Sequence, residues 1–465
     1  MQPNLIFILI DDLGWRDLGC YGSTFYETPY LDQLAAEGMR FTDAYAACPV
    51  CSPTRASLMT GKYPATLGIT DWIDWAKQIH PARGKLVDVP YVDHLSQAET
   101  TIATLLRAAG YATWHVGKWH LGGPGHYPQD HGFAVNIGGC HMGSPAKGGY
   151  FSPYTIPVLE NGPDGEYLTD RLTDEAIRLI TAHDPQQPFF LNLWHYAVHT
   201  PIQAPAPLIA KYEAKAKALG LDQIQPFVEG DFFPTEHKKH LRIMRRRLQS
   251  DPVYAAMIEN LDWNIGRLLA AVAAAGLADN TIVIFNSDNG GLATAEGSPT
   301  CNAPLAEGKG WMYEGGTREP LLVKWPGVTA AGSTCATPVS SPDFAPTFLA
   351  LAGAPPRPDL HTDGMNFVPL LTGNELHREA LFWHYPHYGN QGGTPGSSVR
   401  AGDYKLIEFF EDGRLELYNL RTDLSEEQNL VNQEPALAAR LHQMLMQWRL
   451  SVEAKIPQPN PEVLS

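Results

Sequence analysis

No apolar run in the 465 residues approaches the length a bilayer-spanning helix needs, so the sequence predicts no membrane partner. The longest such run at the start, Leu5 to Ile10, has no basic leader and no small-residue cleavage site, so it reads as a buried strand rather than a signal peptide. Cysteine is scarce: six residues (20, 48, 51, 140, 301 and 335) in so long a chain exclude a disulfide framework, though one or two bridges remain open. Positive charge is also short. The formal net charge of −16 argues against a nucleic-acid partner, because phosphate binding needs a basic surface. The one basic run, Lys238 to Arg247, reads as a solvated helical face. There is no internal repeat and no low-complexity stretch. What remains is a large globular chain of ordinary apolar and charged content, long enough for one big domain with an appendage or for two domains.

The chain alternates strand-like and helix-like segments. Strands are expected at Asn4–Ile10, Tyr111–Gly117, Pro188–Trp194, Thr281–Asn286 and Glu319–Trp325. Between them fall helices opening at Thr28-Pro29 and running to Glu37, then at 99–109, 168–182, 253–275 and 342–352. This order predicts an α/β fold with a mainly parallel sheet flanked by helices. After the Pro-rich stretch at 354–358 the texture changes. Short strand-like pieces (380–385, 398–400, 404–410 and 415–419) and a helix from Pro435 predict a smaller C-terminal subdomain of antiparallel sheet plus helix. The division is set at 1–374 and 375–465.

Chemistry concentrates just past the strands, where open parallel sheets gather functional groups. Asp11 and Asp12 follow the first strand; Asp288 and Asn289 follow the Thr281–Asn286 strand. Either pair alone would as readily be a turn or a helix cap. Together they form an all-oxygen donor set, which favours Ca2+ or Mg2+ over zinc. Gly117-Lys118-Trp119-His120, Val198-His199-Thr200-Pro201 and Gly308-Lys309-Gly310 occupy similar positions. Each residue alone has a bland reading as a surface lysine, a satisfied histidine or a Gly-rich turn.

The most specific segment is Cys51-Ser52-Pro53-Thr54-Arg55 followed by Leu58-Met59-Thr60-Gly61. Cys48 and Cys51 also make a C-x-x-C, but no second pair exists for a zinc ribbon, and the chain is far too large to be only a thioredoxin-like domain. The C-x-P-x-R run, with its x-x-L-x-T-G extension, resembles the signature of the formylglycine-dependent type I sulfatases of the alkaline phosphatase superfamily, with an affinity to bacterial polysaccharide- and arylsulfatase-type members. The resemblance covers most of the chain. It implies that Cys51 is converted by a maturation enzyme to a hydrated aldehyde. It also implies that Asp11, Asp12, Asp288 and Asn289 hold Ca2+ (ahead of Mg2+), and that Arg55, Lys118, His120, His199 and Lys309 are site cations and proton carriers. Arg55, one helical turn from residue 51, would reach back to its hydroxyls. His199 and Lys309 would protonate the leaving alcohol, and His120 would take a proton from residue 51 to release sulfate. The family favours a periplasmic or secreted setting.

For the substrate, the resemblance suggests an exo-acting enzyme on a sulfated sugar. Candidate sugar contacts are Trp72 and Trp75, His141 and Ser144, and, from the loop 384–393, His384 and His387. For both tryptophans core packing is the more ordinary use. A Cys140–Cys301 bridge near the site is a further expectation. Two other readings stay open: a phosphate or phosphonate ester hydrolase on the same fold, and a non-catalytic sulfated-glycan-binding protein. Oligomeric state has no signature in the chain.

Overall fold

A computed structural model describes residues 2–74 and 82–463. Trp75 therefore lies outside the described residues. The frame is a nine-stranded sheet built from β1 (Asn4–Ile10), β2 (Met39–Tyr45), β3 (Ala112–Gly117), β4 (Val135–Ile137), β5 (Phe189–Trp194), β6 (Thr281–Ser287), β7 (Arg318–Lys324), β8 (Ser333–Cys335) and β9 (Val339–Ser340). Its order is β8-β2-β7-β6-β1-β5-β3-β4, with β9 also pairing β2. All pairings are parallel except those of β7, which runs antiparallel to both β2 and β6. This is the expected mixed α/β architecture.

The sheet is central because its strands are apolar on both faces. In β1 every residue is buried. Alternation then splits the strand between two cores. Leu5, Phe7 and Leu9 join the helices α2 (Cys51–Thr60), α3 (Ile102–Ala108) and α7 (Phe344–Leu351) on one side. Ile6, Ile8 and Ile10 join α1 (Pro29–Glu37), α4 (Leu168–Thr181), α5 (Ala206–Ala218) and α6 (Pro252–Ala274) on the other. Phe7 shows how tight this is, with its ring 5.4 Å from Phe344 and 5.2 Å from Phe348.

The C-terminal part is a four-stranded antiparallel sheet, β10 (Leu381–Tyr385), β11 (Gly396–Ala401), β12 (Tyr404–Phe409) and β13 (Leu415–Asn419), with α8 (Pro435–Ser451) on one face. Its other face packs with Tyr45, Cys48 and Val50, directly ahead of α2.

A buried ion cluster ties the two parts together. Lys405 Nζ lies 2.9 Å from Glu314 and 3.0 Å from Glu426, with all three side chains fully buried. Burial pushes Glu426 up to about 7, against the pull of Lys405. Lys405→Met leaves two carboxylates in a dry site and should lower stability by about 3 kcal/mol. A carboxyl group whose pKa is raised in the fold binds a proton the unfolded chain has released, so stability falls as pH rises through that window. Urea melts should therefore show a smaller loss at pH 5 than at pH 8; an equal loss would place the charge of Glu426 elsewhere.

Several expectations are corrected. The basic run is not a helix: Arg242–Arg246 is a strand antiparallel to Phe227–Phe232, with Ile243 and Arg246 buried while Arg245 pairs with Glu307 at 2.7 Å. Thr28 precedes α1, but its hydroxyl does not cap the helix; it accepts from Gly19 N–H and donates to Asp32. All six cysteines are free, so the Cys140–Cys301 bridge is not formed; the Cys140 thiol lies beside the Tyr196 hydroxyl instead.

Candidate active site

Strand register assembles the site. Ile10 sits level with Ser287, so Asp11 and Asp288 leave adjacent strands side by side. Gly117 pairs with Trp194, which brings Lys118 to the same edge. Gly117 has φ 104°, and a Cβ there would lie 1.9 Å from the Trp194 carbonyl oxygen, so only glycine lets the chain turn here. Asp12 and His120 hold φ of 62° and 60° without being glycine, local strain of the kind that collects at working sites.

Cys51 is the first residue of α2, a fully buried helix that stops at Gly61 in the left-handed conformation. Its amide-rich N-terminus favours an anion. Cys51 Sγ is 3.3 Å from His120 Nδ1. His120 Nε2 faces the Ile73 carbonyl at 2.8 Å, which can only accept, so Nε2 carries the proton and Nδ1 is left to accept from residue 51. In a matured chain the hydroxyl oxygens of the aldehyde hydrate would take the place of Sγ. As a thiol, Cys51 is pushed up by burial, which Lys118 and Lys309 only partly oppose. A buried protonated thiol is a poor nucleophile.

The charges beneath it interlock. Lys118 Nζ donates to Asp11 at 2.7 Å, and Lys309 Nζ to Asp12 at 2.8 Å. Arg55 grips Asp288 through Nε (2.8 Å) and Nη2 (2.7 Å), and Nη2 stands 3.7 Å from Asp11. The arginine thus turns to the carboxylates rather than back to residue 51. His199 Nε2 is 3.7 Å from Asp12, and its Nδ1 bonds the Thr200 carbonyl at 2.8 Å. Burial, reinforced by Lys309, drives His199 down to about 3, and burial with Lys118 drives His120 well below the ordinary range. Asp11 is raised by burial beyond what Lys118 offsets, whereas Lys309 and His199 outweigh burial and hold Asp12 low.

These groups can hold a cation. Asp11 Oδ1 and Asn289 Oδ1 are buried with no hydrogen-bond partner. Ligand atoms of Asp11, Cys51 and Asp288 lie within 4.8 Å of one another, as do those of Asp11, Asp12 and His199. Two orphaned oxygens among carboxylates fit a hard ion better than a hydrogen-bond network. Glu319, on β7, is a further buried acid that the sequence did not single out; burial and Asp288 push its carboxyl well above the usual range.

A cavity of about 680 Å3 opens onto this centre, lined by Cys51, His120, His199 and Lys309. Of the expected sugar contacts, Trp72, His141 and Ser144 line it. His384 and His387 do not. They are buried, His384 between Ser397 (2.7 Å) and the Lys455 carbonyl (2.9 Å), His387 against Thr70 (2.9 Å) near Asp71 and Asp88. The strand β10 carries His384 inward and His387 is buried just past its end, so the loop reaches the cavity only at Asn390 and Gln391. Asp74, Asp93 and Glu296 also line the cavity; the last two are isolated acids with no motif to announce them.

Residues 3–354 match the sulfatase family, and residues 307–451 match the family described as N-sulphoglucosamine sulphohydrolase, C-terminal. A sulfatase of Formosa agariphila is 32% identical over 100% of this chain and 93% of that protein. The N-acetylgalactosamine-6-sulfatase of Homo sapiens is 34% identical over 82% of this chain and 68% of its own. The crystal structure of Ps i-CgsB in complex with k-i-k-neocarrahexaose superposes with a TM-score of 0.75 at 29% identity, covering 96% of this chain and 93% of that one.

Proposed function

This chain belongs to the sulfatase family and is a sulfuric ester hydrolase, and from that premise we propose that it desulfates a carbohydrate, exo-fashion, with a formylglycine made from Cys51 by a maturation enzyme and with Ca2+ held by Asp11, Asp12, Asp288 and Asn289. The observation that carries this reading is the convergence of Cys51, at a helix N-terminus and 3.3 Å from an accepting His120 nitrogen, on a carboxylate set with two orphaned oxygens. The sugar assignment draws on the relatives, one named for N-acetylgalactosamine 6-sulfate and one holding a neocarrahexaose. The division at 374/375 belongs to the same reading and is supported by the second sheet beginning at Leu381.

The residues then take these roles. When bound, the cation supplies electrostatic stabilisation and a more acidic hydroxyl on residue 51. Lys118 and Lys309 bind sulfate oxygens and neutralise charge as it redistributes. His199 sits beside Asp12 at the cavity wall as a neutral imidazole, with the protonated Lys309 as the group that can hand a proton to the departing alcohol. His120 Nδ1 receives the proton from residue 51 when sulfate leaves. The hydrated aldehyde splits one hard step into two easier ones.

Matured protein assayed on paired aryl sulfate and aryl phosphonate monoester should show the larger kcat/KM on the sulfate. A larger value on the phosphonate would overturn the reading in favour of phosphoryl chemistry. Binding of sulfated sugars with no sulfate release would favour the non-catalytic module.

A further inference from the structure

The substrate cavity is anionic at its solvent end. Its buried end carries Lys309, the one lysine or arginine among the described lining residues, already held by Asp12 at 2.8 Å. The wall also presents Asp74, Asp93 and Glu296, the last near enough to Lys309 to act on its charge. Asp93 is half-buried and, among the described residues, bonds a neighbouring histidine, His94, at 2.8 Å. Glu296 is exposed, in a turn where it holds φ of 48°. Its carboxylate receives neutral amide N–H groups, from Asn390 and, at 3.0 Å, from Gln391. Lys238 stands next to this pair, its amine donating to the Asn390 carbonyl at 3.2 Å and to the Asn390 side-chain oxygen.

We propose that Asp93 and Glu296 set the substrate's charge: the site takes a glycosyl unit that bears a single sulfate and is otherwise uncharged, and turns away units with a second sulfate or a carboxylate. This deepens the carbohydrate-sulfatase reading and rests on it. The reactive sulfate is drawn inward, where Lys118 and Lys309 meet it. The rest of the ring then faces two carboxylates, which accept hydrogen bonds from free sugar hydroxyls. A second anion at that place meets no lysine or arginine among the described lining residues, and the Lys238 amine is already taken up by Asn390. It would be desolvated against like charge, a repulsive device of the kind that makes sites selective. A neutral hexose or an N-acylated hexosamine satisfies the wall; a uronate or a disulfated ring does not.

The test uses matured full-length protein and three probe classes: nitrophenyl sulfate, monosulfated hexoses and N-acetylhexosamines, and the same sugars with a second sulfate. The unmutated protein should prefer the monosulfated sugar in kcat/KM by roughly 100-fold, about tenfold for each carboxylate. The preference should shrink in high salt, because the rim charges are exposed. Glu296→Gln combined with Asp93→Asn should bring the ratio toward one, while Glu296→Asp should retain most of it. Equal kcat/KM for mono- and disulfated sugars in the unmutated protein, or a ratio the double substitution leaves unchanged, overturns the proposal. Release from nitrophenyl sulfate with no sugar accepted overturns it together with the carbohydrate reading. Release from none of the three overturns the sulfatase reading itself.

Discussion

Cys51→Ala should reduce sulfate release to background, a loss of roughly 10⁴-fold or more, because it removes the residue proposed to become the nucleophile. Stability should change far less. The side chain is small and its one polar contact is with His120, so a cost of about 1–2 kcal/mol is expected. The Lys118–Asp11 and Lys309–Asp12 pairs do not involve residue 51, so the sulfate-binding end stays assembled. The variant should then still bind a sulfated sugar, seen as ligand-dependent thermal stabilisation, and hardly turn it over. Cys51→Ser tests the same point from the other side. If the thiol itself were the nucleophile, protein made without maturation would be active; if the aldehyde is required, unmatured protein and Cys51→Ser should both be inactive. Mass spectrometry of the peptide around residue 51 reads the conversion directly, as loss of sulfur and gain of an aldehyde.

How far this centre was legible in the sequence follows from what local patterns carry. Asp11, Asp12, Asp288 and Asn289 stood out because each pair closes an apolar strand, and in a parallel sheet those ends converge. Cys51 was legible because the C-x-P-x-R run and its L-x-T-G extension fix several residue types at set spacing. The pairing of Arg55 with Asp288 was not, since 233 residues separate them and the choice between reaching residue 51 and reaching a carboxylate is made by tertiary packing. The histidines of the loop 384–393 misled for a similar reason. Their composition suggests a polar binding loop, but His384 is buried within the second sheet and His387 against Thr70, and their neighbours Asn390 and Gln391 do the reaching. Asp93 and Glu296 carry no motif at all; only the folded wall brings them together. The basic run failed because its two buried residues, Ile243 and Arg246, are three apart, the spacing of a helical face.

The second large effect concerns the cation. Dialysis against a chelator should cost roughly 10³-fold in kcat/KM without unfolding the protein. The charges explain why the fold survives. Asp11, Asp12 and Asp288 are matched inside the protein by Lys118, Lys309 and Arg55, so removing a metal does not strand three bare carboxylates. Asp288→Ala is different. Asp288 accepts from Nε of a fully buried Arg55, stands 2.7 Å from its Nη2, and takes the Asp12 N–H at 3.3 Å. Without it the guanidinium keeps only Asp11 Oδ1 at 3.7 Å as a carboxylate partner. That uncompensated charge should cost about 3–5 kcal/mol of stability, in addition to the lost turnover. Asp288→Asn separates the two effects: it keeps an acceptor for Arg55 and most of the shape, yet removes a charge from the cation's donor set. The expected pattern is a chelated protein that is folded and inactive, revived by added Ca2+ with a rise in melting temperature. Asp288→Asn should be folded but poorly revived, and Asp288→Ala both less stable and inactive. Elemental analysis fixes the interpretation. Full activity in protein shown to contain no divalent metal would sink the cation assignment, and revival by Mg2+ but not Ca2+ would correct the ion while keeping its four ligands.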